Sequence, residues 1–146
     1  MNKRTIDIGR LENFRSAYRR GAGAPLAGSF CRAATASAGV SELYLYGEIG
    51  EGAIAATDVV EALGKIPRGN TIRVRMNSPG GDIFDGVAIY NLFAQSSARV
   101  EVCIDALAAS MASVIAMAGD DIAIAGNASM MIHEAWGVTY GNADDM

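Results

Sequence analysis

Thr71-Ile72-Arg73-Val74-Arg75-Met76-Asn77-Ser78-Pro79-Gly80-Gly81 alternates apolar and polar residues and then breaks into a turn. Ile72, Val74 and Met76 fall on one side, with Arg73, Arg75 and Asn77 on the other. That period of two is the signature of a half-buried strand. Pro79, Gly80 and Gly81 end it, and paired glycines allow another group to approach the main chain closely.

The flanking segments repeat the strand and alternate it with helix. Glu42–Ile49 reads as a strand, with Leu43, Leu45 and Gly47 on one face and Tyr44 and Tyr46 on the other. Ala53–Leu63 reads as a helix with Ile54, Val59/Val60 and Leu63 on its apolar side, ended by Gly64 and Pro67. After the turn, Val87–Ala94 is helical, with Val87, Tyr90/Asn91 and Ala94 on one face and Ile89, Leu92 and Phe93 broadening it. Arg99–Asp105 is a strand with Val100, Val102 and Ile104 inward. Ser110–Ala118, apolar nearly all round, is a buried helix. Ile122–Ala125 and Met130–His133 are short strands around a Gly126-Asn127 turn. The order β-α-β-α-β-α-β-β predicts an α/β domain with a mainly parallel sheet.

The first forty residues differ in kind. Residues 1–32 carry seven Lys or Arg against Asp7 and Glu12, whereas the whole chain has a net charge of −4. Residues 1–20 have Ile8, Leu11, Phe14/Arg15 and Tyr18 near helical spacing, and residues 21–39 turn to Gly, Ala and Ser, the composition of a linker. Residues 1–40 therefore read as a basic leader: disordered, a removable pro-segment or an arm that docks elsewhere. The domain begins near Val40 and runs over 41–146. Its acidic balance argues against nucleic acid as the main partner. No apolar run has the roughly 18 residues of a membrane span, and no secretory signal is visible. At 51% hydrophobic the chain can bury a substantial core. Cys31 and Cys103 lack metal-site spacing and fit two free thiols in a reducing cytoplasm.

Three segments carry chemistry. In α/β sheets ligands sit beyond the carboxyl ends of strands, where Ser78–Gly81 and Ser110 both fall. The N–H groups of Gly80 and Gly81 are placed to face an oxyanion, although such a turn also serves simply to join strand to helix. Ser110 opens a helix, where serine commonly acts as a cap. Its small neighbours, Ala108, Ala109 and Ala112, leave the hydroxyl accessible, and the Met111 N–H offers a second oxyanion donor. Such a donor is worth roughly 3–4 kcal/mol of transition-state stabilisation. Ser113, one turn on, should point into the helix packing. His133 is the one histidine in the chain; a lone histidine is often structural, but if Ser110 is a nucleophile, His133 must be its base. A Ser–Lys pair has only Lys3 and Lys65 to draw on. No phosphate loop, H-E-x-x-H or paired-cysteine motif is present, and no cofactor or metal is expected.

Asn77-Ser78-Pro79-Gly80-Gly81, Ala109-Ser110-Met111-Ala112 and Met131-Ile132-His133 resemble, in order and spacing, the oxyanion turn, nucleophile and histidine motifs of the Clp-type (ClpP-like) serine peptidases. The resemblance covers roughly residues 42–146. It implies a crotonase-like spiral of β-β-α units, a polypeptide substrate, and a homo-oligomeric ring working alone or with a Clp ATPase. Glu134 and Trp136 look more like the phage head-maturation branch, which would process capsid or scaffold proteins in the host cytoplasm or prohead. The family's triad acid follows a long helix beyond the histidine. This chain ends at Asp144-Asp145-Met146, so the resemblance implies a C-terminally truncated domain whose acid lies outside the chain. Loss of that acid alone can lower kcat about 10⁴-fold. Two other functions remain open: a non-catalytic structural ring subunit, and a crotonase-like acyl-CoA enzyme using Glu134 as its base.

Overall fold

The structure, a computed structural model, describes residues 28–134. The leader helix proposed over 1–20, most of the linker, Trp136 and the acidic tail lie outside the described residues. Chain order is β1 (Phe30–Ser37), β2 (Val40–Tyr46), α1 (Ala56–Gly64), β3 (Thr71–Ser78), α2 (Ile83–Ala94), β4 (Val100–Ala109), α3 (Met111–Ala116), β5 (Asp121–Ile124) and β6 (Ser129–Met131). The strands form one six-stranded sheet in the order β1-β2-β3-β4-β5, with β6 pairing to β4. Only β1–β2 is antiparallel; every other pairing is parallel. The α/β class and mainly parallel sheet are those expected.

β1 corrects the linker reading. Phe30–Ser37 pairs with β2 from Phe30↔Tyr46 to Ser37↔Val40. The alternation was there but carried by small residues: Cys31 and Ala33 pack against the core, while Phe30 stacks on Tyr46 and Arg32 lies over the Tyr44 ring. Tertiary pairing thus overrides a composition that favours loops.

The alternation of β2, β3 and β4 sorts the sheet into two faces. Leu43, Leu45, Val74, Met76, Val102 and Ile104 are buried on one face, together with Ile54, Val59, Ile89, Phe93 and Ile115. The opposite face carries a ladder of ion pairs. Arg73 donates to Glu101 at 3.0 and 3.1 Å, Arg75 to Asp105 at 2.6 and 2.9 Å, and Arg99 pairs with Asp121.

α2 differs from the expected face. Gly86, Ile89 and Phe93 are its buried positions, while Val87 and Ala94 are exposed. The helix is apolar on two sides, so periodicity alone could not choose between them. α3 likewise is not buried all round: Ala112, Ser113, Ile115 and Ala116 face inward, and Val114 is exposed. Among the described residues no helix is long and apolar enough to cross a membrane.

Candidate active site

β4 delivers Ser110 by breaking its own register. Met76 pairs with Ile104, but two residues later Ser78 pairs with Ala108, four residues on. The extra residues bulge out of the ladder, and bulges re-aim the strand that follows. β6 then pairs with Leu107–Ala109, and the Ser110 N–H donates to the Met131 carbonyl at 2.8 Å. Ser110 itself sits at φ 53°, ψ −125°, the one non-glycine residue with positive φ among the described residues. A side chain held there costs on the order of 1–3 kcal/mol and persists only when its surroundings impose it. At this sharp turn the hydroxyl makes no side-chain cap bond to the helix.

His133 lies two residues beyond β6, and its Nε2 is 2.6 Å from Ser110 Oγ. The only histidine and the elbow serine, 23 residues apart in sequence, are therefore in direct hydrogen-bond contact. Ser113 is buried, and its hydroxyl donates to the Ser110 carbonyl at 2.6 Å. It braces the elbow from behind and is not available as a second nucleophile.

The Gly80–Gly81 turn is wedged between Ile49 and this elbow. The Ile49 N–H donates to the Gly80 carbonyl and the Asp82 N–H to the Ile49 carbonyl, both at 2.9 Å. Gly80 adopts φ 87°, and a Cβ there would lie 2.5 Å from the Ala109 carbonyl oxygen, 2.8 Å from the Met111 nitrogen and 2.9 Å from Ser110 Cβ. Glycine is required twice over, for its dihedral and for its lack of a side chain. The Gly80 N–H donates to Ser78 Oγ at 3.1 Å, so that donor is already engaged. The Gly80–Gly81 peptide is trans, and a trans peptide points its C=O and N–H in opposite directions. With the Gly80 carbonyl on Ile49, the Gly81 N–H faces the other way. Met111 begins α3, so its N–H has no intrahelical acceptor.

Among the described residues no carboxylate completes the group. Among the described residues none hydrogen-bonds to His133. Asp105, the acid nearest Ser110 in sequence, is held on the opposite face by Arg75 and by the Tyr46 hydroxyl at 2.7 Å. Burial and that bond push the Tyr46 phenol up to about 12, while Asp105 and Glu42 raise the Arg75 guanidinium further above its ordinary value. Glu134 is exposed beside His133. No three His, Cys, Asp or Glu side chains among the described residues are grouped to hold a metal.

Sequence reasoning brought forward Ser110, His133, Gly80, Gly81 and Met111, and the structure gathers Gly80 and Met111 against Ser110 and sets His133 on its hydroxyl. It gave no part to Ser78 or Ile49. Ser78 was legible only as the inward residue two places after Met76; the role of Ile49 is purely backbone and leaves no sequence signal.

A twisted, mainly parallel sheet with a serine on a strained strand-to-helix elbow, bonded to a histidine, has the parts of a serine hydrolase site. The sequence profile of the Clp protease family matches residues 41–146, and the chain belongs to that family. It is 36% identical over 77 residues to an "ATP-dependent Clp protease proteolytic subunit 1" of Salinibacter ruber, an alignment covering 51% of this chain and 33% of that protein. It is 34% identical over 86 residues to the ATP-dependent Clp protease proteolytic subunit of Bacteroides fragilis, covering 58% of this chain and 42% of the relative. The corresponding subunit of Deinococcus radiodurans is 36% identical over 78 residues, covering 51% and 38%. The chain thus spans well under half the length of these curated relatives.

Proposed function

We propose that this chain carries the nucleophile, base and oxyanion turn of a serine endopeptidase. The observation that carries this reading is the 2.6 Å contact between Ser110 Oγ and His133 Nε2, made by a serine that the fold holds in a strained conformation. In the proposed mechanism His133 takes the hydroxyl proton as Ser110 attacks a peptide carbonyl. The developing oxyanion accepts from the N–H groups of Gly81 and Met111. His133 then returns the proton to the leaving amine, and water hydrolyses the acyl-enzyme by the same steps. Of the donors anticipated from sequence, Gly80 drops out of this role because its N–H is bonded to Ser78.

The same reading takes a polypeptide as substrate, in the cytoplasm, within a homo-oligomeric ring. Ile83, Phe84, Val87, Val114 and Met117, exposed on and just beyond α2 and α3, are consistent with assembly. A Clp ATPase is the expected partner, since the relatives are named ATP-dependent. The finer alternative is processing of phage capsid or scaffold chains, drawn from Glu134 and Trp136. The proposed peptidase domain comprises residues 41–146 together with β1, Phe30–Ser37, which pairs with β2.

Treatment of the purified chain with a fluorophosphonate, followed by peptide mass spectrometry, tests the chemistry. Modification at Ser110, abolished by Ser110→Ala and strongly slowed by His133→Ala, is expected. Absence of modification at Ser110 in a folded protein, under reagent and time conditions that would reveal a reaction slowed about 10⁴-fold, would instead favour a non-catalytic subunit.

A further inference from the structure

We infer that Ser78 is a positioning residue for the oxyanion site, its buried hydroxyl fixing the Gly80–Gly81 turn so that the Gly81 N–H is aimed at the substrate carbonyl. This rests on the peptidase reading above and assigns a role to a side chain outside the serine–histidine pair. Ser78 is 1% exposed, one of three buried polar residues among those described. It is the last residue of β3, on the inward face that begins with Ile72. Alternation alone would favour an apolar side chain there, because a buried hydroxyl must be hydrogen-bonded to be tolerated. Its oxygen accepts from the Gly80 N–H at 3.1 Å.

That bond adds a side-chain restraint to a turn otherwise held by Ile49 and by its packing against the elbow. Gly80 and Gly81 are the two most permissive residues possible, and both adopt positive φ, 87° and 146°. The Gly80–Gly81 peptide is held from one side only, by Ile49 on the Gly80 carbonyl. Rotation of that peptide would swing the Gly81 N–H away from the elbow. The preceding peptide is pinned by Ser78, so the pair of contacts, Ile49 on the C=O and Ser78 on the N–H of Gly80, fixes both flanks of the Gly80 α-carbon. The hydroxyl also occupies the Gly80 N–H, leaving Gly81 as the donor that this turn offers to a ligand. An oxyanion donor acts only when it is in place beforehand, and displacement of about 1 Å costs on the order of 10²-fold in rate.

The test is the rate of Ser110 modification by a fluorophosphonate, resolved into Ki and the maximal inactivation rate. It is applied to the whole chain and to Ser78→Ala, Ser78→Thr and Ser78→Val. Thr and Val have nearly the same shape and differ in the hydroxyl, so their comparison separates hydrogen bonding from packing. Expected is a fall of about ten- to hundredfold in the maximal rate for Ala and Val with Ki unchanged, and a rate within about threefold of the parent for Thr. Equal rates for Ser78→Ala and the parent, or equal losses for Thr and Val, would overturn the inference while leaving the peptidase reading intact. A parent chain that is folded yet unmodified at Ser110 would remove the peptidase reading and this inference together.

Discussion

Gly39 and Gly80 have almost the same backbone dihedral, φ 79° and 87°, at opposite ends of the same sheet. Gly39 turns β1 into β2, and a Cβ there would meet nothing within 4 Å. Gly80 follows β3, and a Cβ there would strike the backbone on both sides of Ser110. Parallel strands share their ends, so Gly39 marks the edge where β2 and β3 begin and Gly80 the edge where they finish. At the first edge positive φ serves only to reverse the chain. At the second it lets one backbone pass against another, and the space saved is where Ser110 and Met111 sit. A dihedral alone therefore does not distinguish a turn from a site; what the missing side chain would touch does.

The largest expected effect comes from closing that space. Gly80→Ala introduces left-handed strain and a collision with backbone atoms that cannot rotate aside. A destabilisation of about 3 kcal/mol or more is expected in urea unfolding, with fluorophosphonate labelling of Ser110 lost. Retention of both stability and labelling would mean that the two glycines are equivalent after all.

The strain at Ser110 gives the next test. Ser110→Ala and Ser110→Gly both delete the hydroxyl and its bond to His133, but only glycine is at ease at φ 53°. The glycine variant is expected to be the more stable by about 1 kcal/mol, the relief of backbone strain exceeding glycine's usual entropic disadvantage. At an ordinary helix start the order would be reversed, so the sign of the difference decides whether the elbow is under load.

A third test moves to the outer face, where Arg75 holds Asp105 and Glu42. These groups remain partly in water, the Arg75 side chain being 35% exposed, so the pairs are weak and screened by salt. Arg75→Met should cost about 1 kcal/mol at low ionic strength and less in 0.5 M salt, with the rate of Ser110 labelling unchanged. A large loss of labelling would show that the ladder reaches through β4 to the elbow.

The contrast between edges also explains what could be read from sequence. β2, β3 and β4 announce themselves because one face is buried and the other charged, and period two is a local property. Ser110 and His133 stood out by residue type and by their places at strand ends, but their contact depends on β6 pairing to β4 beyond a register shift that no local pattern encodes. β1 was missed because Cys31, Ala33 and their neighbours are small, and its pairing to β2 supplies what propensity lacks. The buried face of α2 was misjudged for the opposite reason: Val87 and Ile89 lie on different sides of a helix with too many apolar residues to reveal which side is covered. Ser78 was overlooked because its hydrogen bond is to a main-chain N–H two residues away.

The smallest expected effect is at Gly39. Alanine there carries the cost of a left-handed conformation, about 1–2 kcal/mol, but meets no neighbour. Part of that cost is offset because the unfolded chain loses freedom too, by about 0.4–1 kcal/mol. A net loss of no more than about 1.6 kcal/mol is therefore expected for Gly39→Ala, and less for Gly39→Asn, since asparagine tolerates the same region. The decisive contrast is with Gly80→Asn: a residue that suits the dihedral should rescue the open turn and fail at the crowded one, as urea unfolding and Ser110 labelling measured side by side would show. If asparagine were equally tolerated at both positions, the close approach between Gly80 and the elbow could not be what the second glycine is for.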